Sequence, residues 1–527
     1  MIFINILILT GIQSYSILKN IVQNLQTHKI ELEKVPVSIS AFITENMVRN
    51  ILNSMDITGY DLVLLPGFVQ WNSKGIENEF SLPIRKGTEF ASDLPILLEH
   101  VDNIQLSNEL PADKLLQQTG EKQYDDLVQE RIRNAEQQEN QNNFFINEKV
   151  SNIMIGDDLP PPIIAEIVNC TNKTDDSILR KTTHYIDSGA DIIDIGCIAN
   201  KPAPKRVEKI IKLLHQHFDV LISIDSMNSE EIRSAVNENI DMILSFDIGN
   251  YKEFSDIPKD IPIVLLPTNI REGYFPKDPE TRVKNLLDIT RKMKNLGFKK
   301  LLADPLLETP ISPGLVNSLQ AYYLYQKKTS TEQFNSLKLP LFFGISNVVE
   351  LMDVDSVGIN GLLASIAIEL DMGVLFTVEH SSKMMGGVKE LKECVKLNYI
   401  SKQKSSPPIN QGIQIFKAKG KTSQELPDLD EIKKPIYVKE ERPSYNPDEK
   451  GYFKIYVEHY KKKIILLFYS NSHELLEVLF GASAEALSKK IMSLGLTKNP
   501  QHLNYLGREL SKAEFCLSTG KPYIQDS

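Results

Sequence analysis

The runs IIAEIV (Ile163–Val168), DIIDIG (Asp191–Gly196), LISID (Leu221–Asp225), DMILSF (Asp241–Phe246), PIVLLP (Pro262–Pro267), KLLADP (Lys300–Pro305), LFFGIS (Leu341–Ser346) and GVLFTV (Gly373–Val378) decide the fold. Each is apolar almost throughout, as strands buried on both faces of a parallel sheet must be, and each is followed by a stretch with helical spacing of its apolar residues. Eight such units in roughly 230 residues have the length and rhythm of a (β/α)8 TIM barrel of ~250 residues. Nearly every run ends in a polar residue: Asn169, Asp194, Asp225, Asp247, Asn269, Asp304, Asn347 and His380. In a barrel those ends converge on the face that carries active sites.

Working outward, the 527 residues exceed one domain, and 42% hydrophobic with 24% charged residues is the composition of a globular chain able to build full cores. A net charge of -10 argues against nucleic acid as a partner. The opening MIFINILILTG lacks a basic leader and is too short to span a bilayer, so the expected location is the cytoplasm, with no membrane partner. Cys170, Cys197, Cys394 and Cys516 are too scattered for a disulfide framework and read as thiols of a reducing compartment.

Residues 1–103 read as a Rossmann-like α/β domain, with strands in NILILTG (Asn5–Gly11), VSISAFIT (Val37–Thr44) and YDLVLLPGF (Tyr60–Phe68). One glycine in the first turn is no dinucleotide fingerprint, and Arg85 and Lys86 read as a solvated basic turn. Residues 104–160 turn to Gln, Asn, Glu and Lys, a linker or exposed helix, and DDLPPP (Asp157–Pro162) opens the barrel at 161–400. A second linker, 401–445, leads to a small α+β domain at 446–527. There GYFKIYVEH and KIILLFYS alternate as paired strands, and two helical segments end at Gly495 and Gly520.

His380 is the only histidine at a strand end, which argues against a zinc hydrolase, and no strand interior holds the lysine of a Schiff-base aldolase. What remains is a ring of acceptors, suited to a flat heterocycle with N–H donors on its edge, such as a pterin or a purine. A carboxylate takes the ring N–H and the amino group of such an edge as a bidentate, charge-assisted pair.

EIVNCTNKTDDS (Glu166–Ser177), DSGADIIDIG (Asp187–Gly196), ISIDS (Ile222–Ser226), LLADP (Leu301–Pro305) and FGISN (Phe343–Asn347), in this order and spacing, resemble the pterin-binding barrel superfamily of dihydropteroate synthases and corrinoid-linked, pterin-dependent methyltransferases. The resemblance implies that Asp225 and Asp304 hold the pterin ring, with Ser245, Asp247 or Asn250 standing for the family's fourth-strand asparagine. It implies that Asn169 lies near a diphosphate leaving group and its Mg2+, as the metal ligand. Where synthases carry Ser-Arg-Lys, this chain has Ser346-Asn347-Val348, which resembles the methyltransferases, whose asparagine contacts the pterin N5 edge. The synthases' Ser-Thr-Arg-Pro is here Ala199-Asn200-Lys201-Pro202, leaving Lys201 and Arg271 as phosphate candidates. His380 matches the eighth-strand histidine of the synthases, although Glu379 disturbs their Arg-x-His.

The whole chain, with its tail from Gly451 to Glu514, resembles archaeal dihydropteroate synthase-like proteins. That implies a transferase using a reduced pterin of the tetrahydromethanopterin or folate type in one-carbon metabolism. The reaction is either the joining of a hydroxymethylpterin to an arylamine or the transfer of a methyl group to a corrinoid on a partner protein. A non-catalytic pterin carrier or sensor is the alternative, and a homodimer is the candidate assembly.

Overall fold

The computed structural model describes residues 4–23, 28–137, 140, 142–409, 411–413, 415–416 and 447–526. Most of the second expected linker therefore lies outside the described residues. The chain divides into two units, the first holding residues 1–127 and 403–440, the second residues 128–402 and 441–527.

In the first unit, β1 (Asn5–Thr10), β2 (Lys29–Lys34), β3 (Leu62–Leu65) and β4 (Ile84–Lys86) form a parallel sheet in the order β2-β1-β3-β4. Between and after them run α1 (Ile12–Gln23), α2 (Glu45–Ser54), α3 (Lys74–Phe80) and α4 (Leu94–His100), and α5 (Ala112–Glu136) begins in this unit, its residues from 128 on being counted in the second. The Rossmann-like character holds, but the second strand is KIELEK rather than Val37–Thr44. The latter segment is committed to the start of α1: Val37 O and Ser38 O accept from Ile12 N and Gln13 N, and Ser40 Oγ accepts from Gly11 N at 2.9 Å. A side chain on Gly11 would sit 2.8 Å from Ser40 N, so the close approach requires glycine. Arg85 and Lys86 are not a solvated turn: Arg85 pairs with Glu77, and Lys86 is buried on β4.

In the second unit a two-stranded antiparallel ribbon, β5 (Phe144–Phe145) and β6 (Met154–Ile155), precedes the barrel. The barrel strands are β7 (Ile163–Ile167), β8 (Ile192–Gly196), β9 (Leu221–Asp225), β10 (Met242–Phe246), β11 (Ile263–Leu265), β12 (Leu301–Ala303), β13 (Phe342–Gly344) and β14 (Val374–Val378). All are parallel, in the order β12-β11-β10-β9-β8-β7-β14-β13, and a parallel bridge from Ala303 to Leu341 closes the ring. The eight-stranded TIM barrel read from the sequence is thus the fold. Its helices are α6 (Asp175–Asp187), α7 (Pro204–His217), α8 (Ser229–Asn237), α9 (Pro279–Asn295), α10 (Leu315–Thr329), α11 (Ser346–Val349), α12 (Ser356–Glu369) and α13 (Gly387–Gln403). Between β10 and β11 a single 3-10 turn, Tyr251–Phe254, replaces a helix.

One apolar residue or more from every strand, among them Ile164, Ile192, Leu221, Leu244, Val264, Leu302, Phe342 and Val374, fills the interior, and Ile146 and Ile155 of the ribbon join the same core. The start of the barrel is thereby packed, and polar chemistry is left to the strand ends.

Within the same unit β15 (Tyr452–Glu458), β16 (Lys463–Tyr469) and β17 (Leu475–Gly481) make an antiparallel meander, followed by α14 (Ala484–Ser493) and α15 (Pro500–Thr519). The helices pack Leu487, Ile491, Leu506 and Leu510 on one face of the sheet. β17 is the third strand that the two-strand reading lacks; most of it is exposed, so its burial gives no alternation. Among the described residues no helix is long and apolar enough to cross a membrane.

Candidate active site at the strand ends

Parallel register builds the centre of the site. Glu166 on β7 pairs with Asp194 on β8, Asp194 with Ser223 on β9, and Gly196 with Asp225. Side chains on paired residues of neighbouring strands share a face, so three carboxylates meet. One oxygen from each of Glu166, Asp194 and Asp225 lies within 4.8 Å of the others. Gly196 makes room for them, since a Cβ there would lie 2.1 Å from Glu166 Oε1. Asp194 is wholly buried: Oδ1 accepts from Ser223 Oγ at 2.5 Å, and Oδ2 has no partner.

Burial raises all three acids, because low dielectric disfavours the charged form. Glu166 is pushed up to about 7 by burial and then by the charge of Asp225, and Asp225 by burial to about 6. Asp194 is raised well above the usual carboxylate range by burial and then by the charges of Asp225 and Glu166. The trio titrates as one system and retains protons at neutral pH when nothing else neutralises it.

Across the mouth Asp304 follows β12, 8% exposed, with Oδ1 accepting from Leu306 N and from Tyr322 Oη, each at 2.8 Å. Tyr322 Oη also lies 3.0 Å from the Phe342 carbonyl. Burial lifts the Asp304 carboxyl to about 6 against those two hydrogen bonds. The loop after it is clamped by Arg282 of α9, 1% exposed, which donates to the carbonyls of Pro276, Pro305 and Leu306 and pairs with Glu308. Asn347 is exposed on α11 and donates from Nδ2 to Leu307 O at 2.8 Å. Asp304 and Asn347 are therefore fixed by one loop.

Other expected residues stand apart. Asp247 is wholly buried with both oxygens committed, Oδ1 to Gly249 N and Asn250 N, Oδ2 to Thr268 Oγ1 and Ile270 N. That saturation makes it a loop brace instead of a ligand for a cofactor. Asn250 is buried too, its Oδ1 accepting from Asp247 N. Asn169, in the left-handed region at φ 51°, is exposed at the end of β7, and its side chain does not cap the turn that follows. A lone exposed amide offers one neutral donor atom to a cation. Lys201 is exposed, whereas Arg271 is held by both oxygens of Glu253. His380 is exposed, and its backbone N–H donates to Glu350 Oε1 at 2.9 Å.

Glu379 is buried, and its Oε2 lies 2.8 Å from His184 Nε2 and 3.4 Å from Lys181 Nζ. Burial pushes this carboxyl up, but His184 and Lys181 more than offset it and hold it below its usual range. Burial, with Asp194 as the next cause, raises the Cys170 thiol to about 12, which leaves no thiolate nucleophile there.

Sequence reasoning gave no site role to Glu166 or to Asp194, which it named only as a polar strand end, and missed Tyr322 and Arg282. A signal was present for the first two: each is an acid inside an otherwise apolar run, and such a residue must face something polar.

A family model described as pterin binding enzyme matches residues 168–361, and one described as PterinBD-DUF4346 matches residues 447–526. Uncharacterized protein MJ0107 of Methanocaldococcus jannaschii is 33% identical over 532 residues, covering 99% of this chain and 98% of its own length. The dihydropteroate synthase of Streptococcus pyogenes is 30% identical over 109 residues, 18% of this chain and 41% of the synthase. That of Clostridium beijerinckii is 29% identical over 129 residues, 23% of this chain and 46% of the synthase. Among solved structures, a Yersinia pestis dihydropteroate synthase with a pterine-sulfa conjugate is 20% identical, with a TM-score of 0.37 over 48% of this chain and 97% of that one. With a full-length relative above 30% identity and a pterin-binding model on its barrel, the chain belongs to the pterin-binding enzyme family.

Proposed function

We propose that this protein is a transferase that binds a reduced pterin, of the tetrahydromethanopterin or folate type, across Asp225 and Asp304, and moves a methyl group from its N5. The observation that carries the reading is the pair of Asp304 and Asn347, each fixed by a hydrogen bond to the loop that follows β12. With Oδ1 of Asp304 held by Tyr322 and Leu306, its Oδ2 is left to accept from the amino and ring N–H groups of a pterin edge. With Nδ2 of Asn347 spent on Leu307 O, its Oδ1 is the atom left to accept a hydrogen bond from a protonated N5. Protonation lets the methyl–nitrogen bond break with its electron pair staying on N5, while the nucleophile, a corrinoid on a partner protein, takes the methyl group.

Electrostatics favour methyl transfer over the joining of a hydroxymethylpterin diphosphate to an arylamine. A departing diphosphate needs cations, yet Arg271 is paired with Glu253, Val378 stands at the arginine position of Arg-x-His, and Glu379 adds a buried carboxylate next to it. The centre of the mouth meanwhile holds three carboxylates. Lys201 is the basic residue left for that role, on an exposed loop.

The test has two arms. Calorimetry with methylated and unmethylated reduced pterins should show binding that Asp304→Asn weakens by about 2 kcal/mol, the scale of a hydrogen bond to a charged group. Added corrinoid should then be methylated by wild type and much more slowly by Asn347→Ala. Unchanged affinity in Asp304→Asn removes the pterin site. Diphosphate release from hydroxymethylpterin diphosphate and an arylamine, without methyl transfer, replaces the reaction by the synthase one. Tight binding with neither turnover favours a carrier.

A further inference from the structure

We propose that Glu166, Asp194 and Asp225 form a site for one hard divalent cation of the Mg2+ or Mn2+ class at the centre of the barrel mouth. The inference needs no pterin and is separate from the exposed Asn169.

Three features of the structure carry it. The first is geometry. One oxygen from each of three neighbouring strands lies within 4.8 Å of the others. Ligands about 2.1 Å from a common ion are separated by about 3 Å when adjacent and about 4 Å when opposite. Spacings at the 4.8 Å limit close to these values by movements of roughly 1 to 2 Å, within the reach of carboxylate rotation, with water completing the shell.

The second is an acceptor with nothing to accept. Asp194 is wholly buried, Ser223 satisfies Oδ1, and Oδ2 lies without a partner beside two further carboxylates. An unpaired buried carboxylate oxygen is costly, and a cation is the group that relieves all three acids at once. The third is space. Gly196 leaves the volume that the Glu166 carboxylate occupies, where any side chain would exclude it, so the trio is accommodated by the backbone.

The donor set selects the class of ion. Carboxylate oxygens suit Mg2+, Mn2+ and Ca2+, and no cysteine or histidine belongs to the cluster to favour zinc. The site is built on strands, so its shape is set by register and not by a mobile loop.

The experiment uses the full chain stripped with EDTA and dialysed free of it. Mn2+ is titrated in, followed by the loss of its free paramagnetic resonance signal and by calorimetry, with no pterin present. The expected result is one Mn2+ per chain, competed by Mg2+, with a rise in the thermal midpoint. Asp194→Asn should lower the affinity at least tenfold and abolish the rise, whereas Asn169→Ala should leave both in place. Should Asp194→Asn fail to fold, Glu166→Gln serves as the second variant with the same expectation. Absence of stoichiometric Mn2+ binding, or equal binding in the carboxylate variants, overturns the proposal and leaves the trio sharing protons instead. Pterin calorimetry in EDTA reads the other proposal separately, so either can fail alone.

Discussion

Replacing Glu166 by glutamine tests the electrostatics of the barrel mouth most directly. Burial and Asp225 lift this carboxyl from its ordinary 4.5 to about 7, so in the folded chain the protonated form is favoured. Its contribution is fully present below about pH 4.5, where folded and unfolded chains both hold the proton, and is lost as pH rises through 7. The lift corresponds to a ceiling of about 3 kcal/mol. Because the three acids share protons, removing one lets the others ionise more easily, and a gain of about 1 to 2 kcal/mol is expected. Glutamine keeps the shape of the protonated acid, so near pH 5 the variant should match wild type. Near pH 8 it should be more stable, by roughly 2–6 °C for a domain of this size. The assay is thermal unfolding of the metal-free protein, in EDTA, at both pH values. Equal shifts at pH 5 and 8, or a loss of stability at pH 8, would refute the account of the trio as an unrelieved cluster.

Two further substitutions probe the opposite side of the mouth. Arg282→Met leaves three carbonyls and Glu308 without the buried guanidinium that serves them, and should cost about 3 kcal/mol or more in unfolding experiments, the scale of a broken buried ion pair. An unchanged midpoint would show that the clamp is not needed. Tyr322→Phe removes one of two donors to Asp304 Oδ1 and should weaken binding of a reduced pterin by roughly fivefold, about 1 kcal/mol, with little change in secondary structure by circular dichroism.

The barrel was legible because a strand buried on both faces writes a continuous apolar run, and eight of them leave few alternatives. Edge strands are not written that way. KIELEK is polar at alternate positions and only partly covered, so the nearby apolar VSISAFIT competed for its place although that segment serves the start of α1. The strand-end residues were legible as a set but not individually. Asp225 and Asp247 look alike in sequence, both acids near the end of a strand, yet one belongs to an open carboxylate cluster and the other is saturated by four donors. That difference depends on the path of the loop after β10, which composition does not reveal. Arg282 was hidden for a related reason: on a helix it reads as a solvated charge, and only the fold of the loop after β12 turns it inward.

The buried pairing of Glu379 with Lys181 and His184 constrains how this sequence can evolve. A change of Glu379 to arginine would set a third basic group beside Lys181 and His184 in a largely buried site. Burying that repulsion costs several kcal/mol, a large part of a domain's stability. Any lineage moving between an arginine and a glutamate at this strand must therefore alter the facing surface of α6 first or at the same time. The position works as a historical lock, which holds a lineage to one sign of charge long after the substitution that set it.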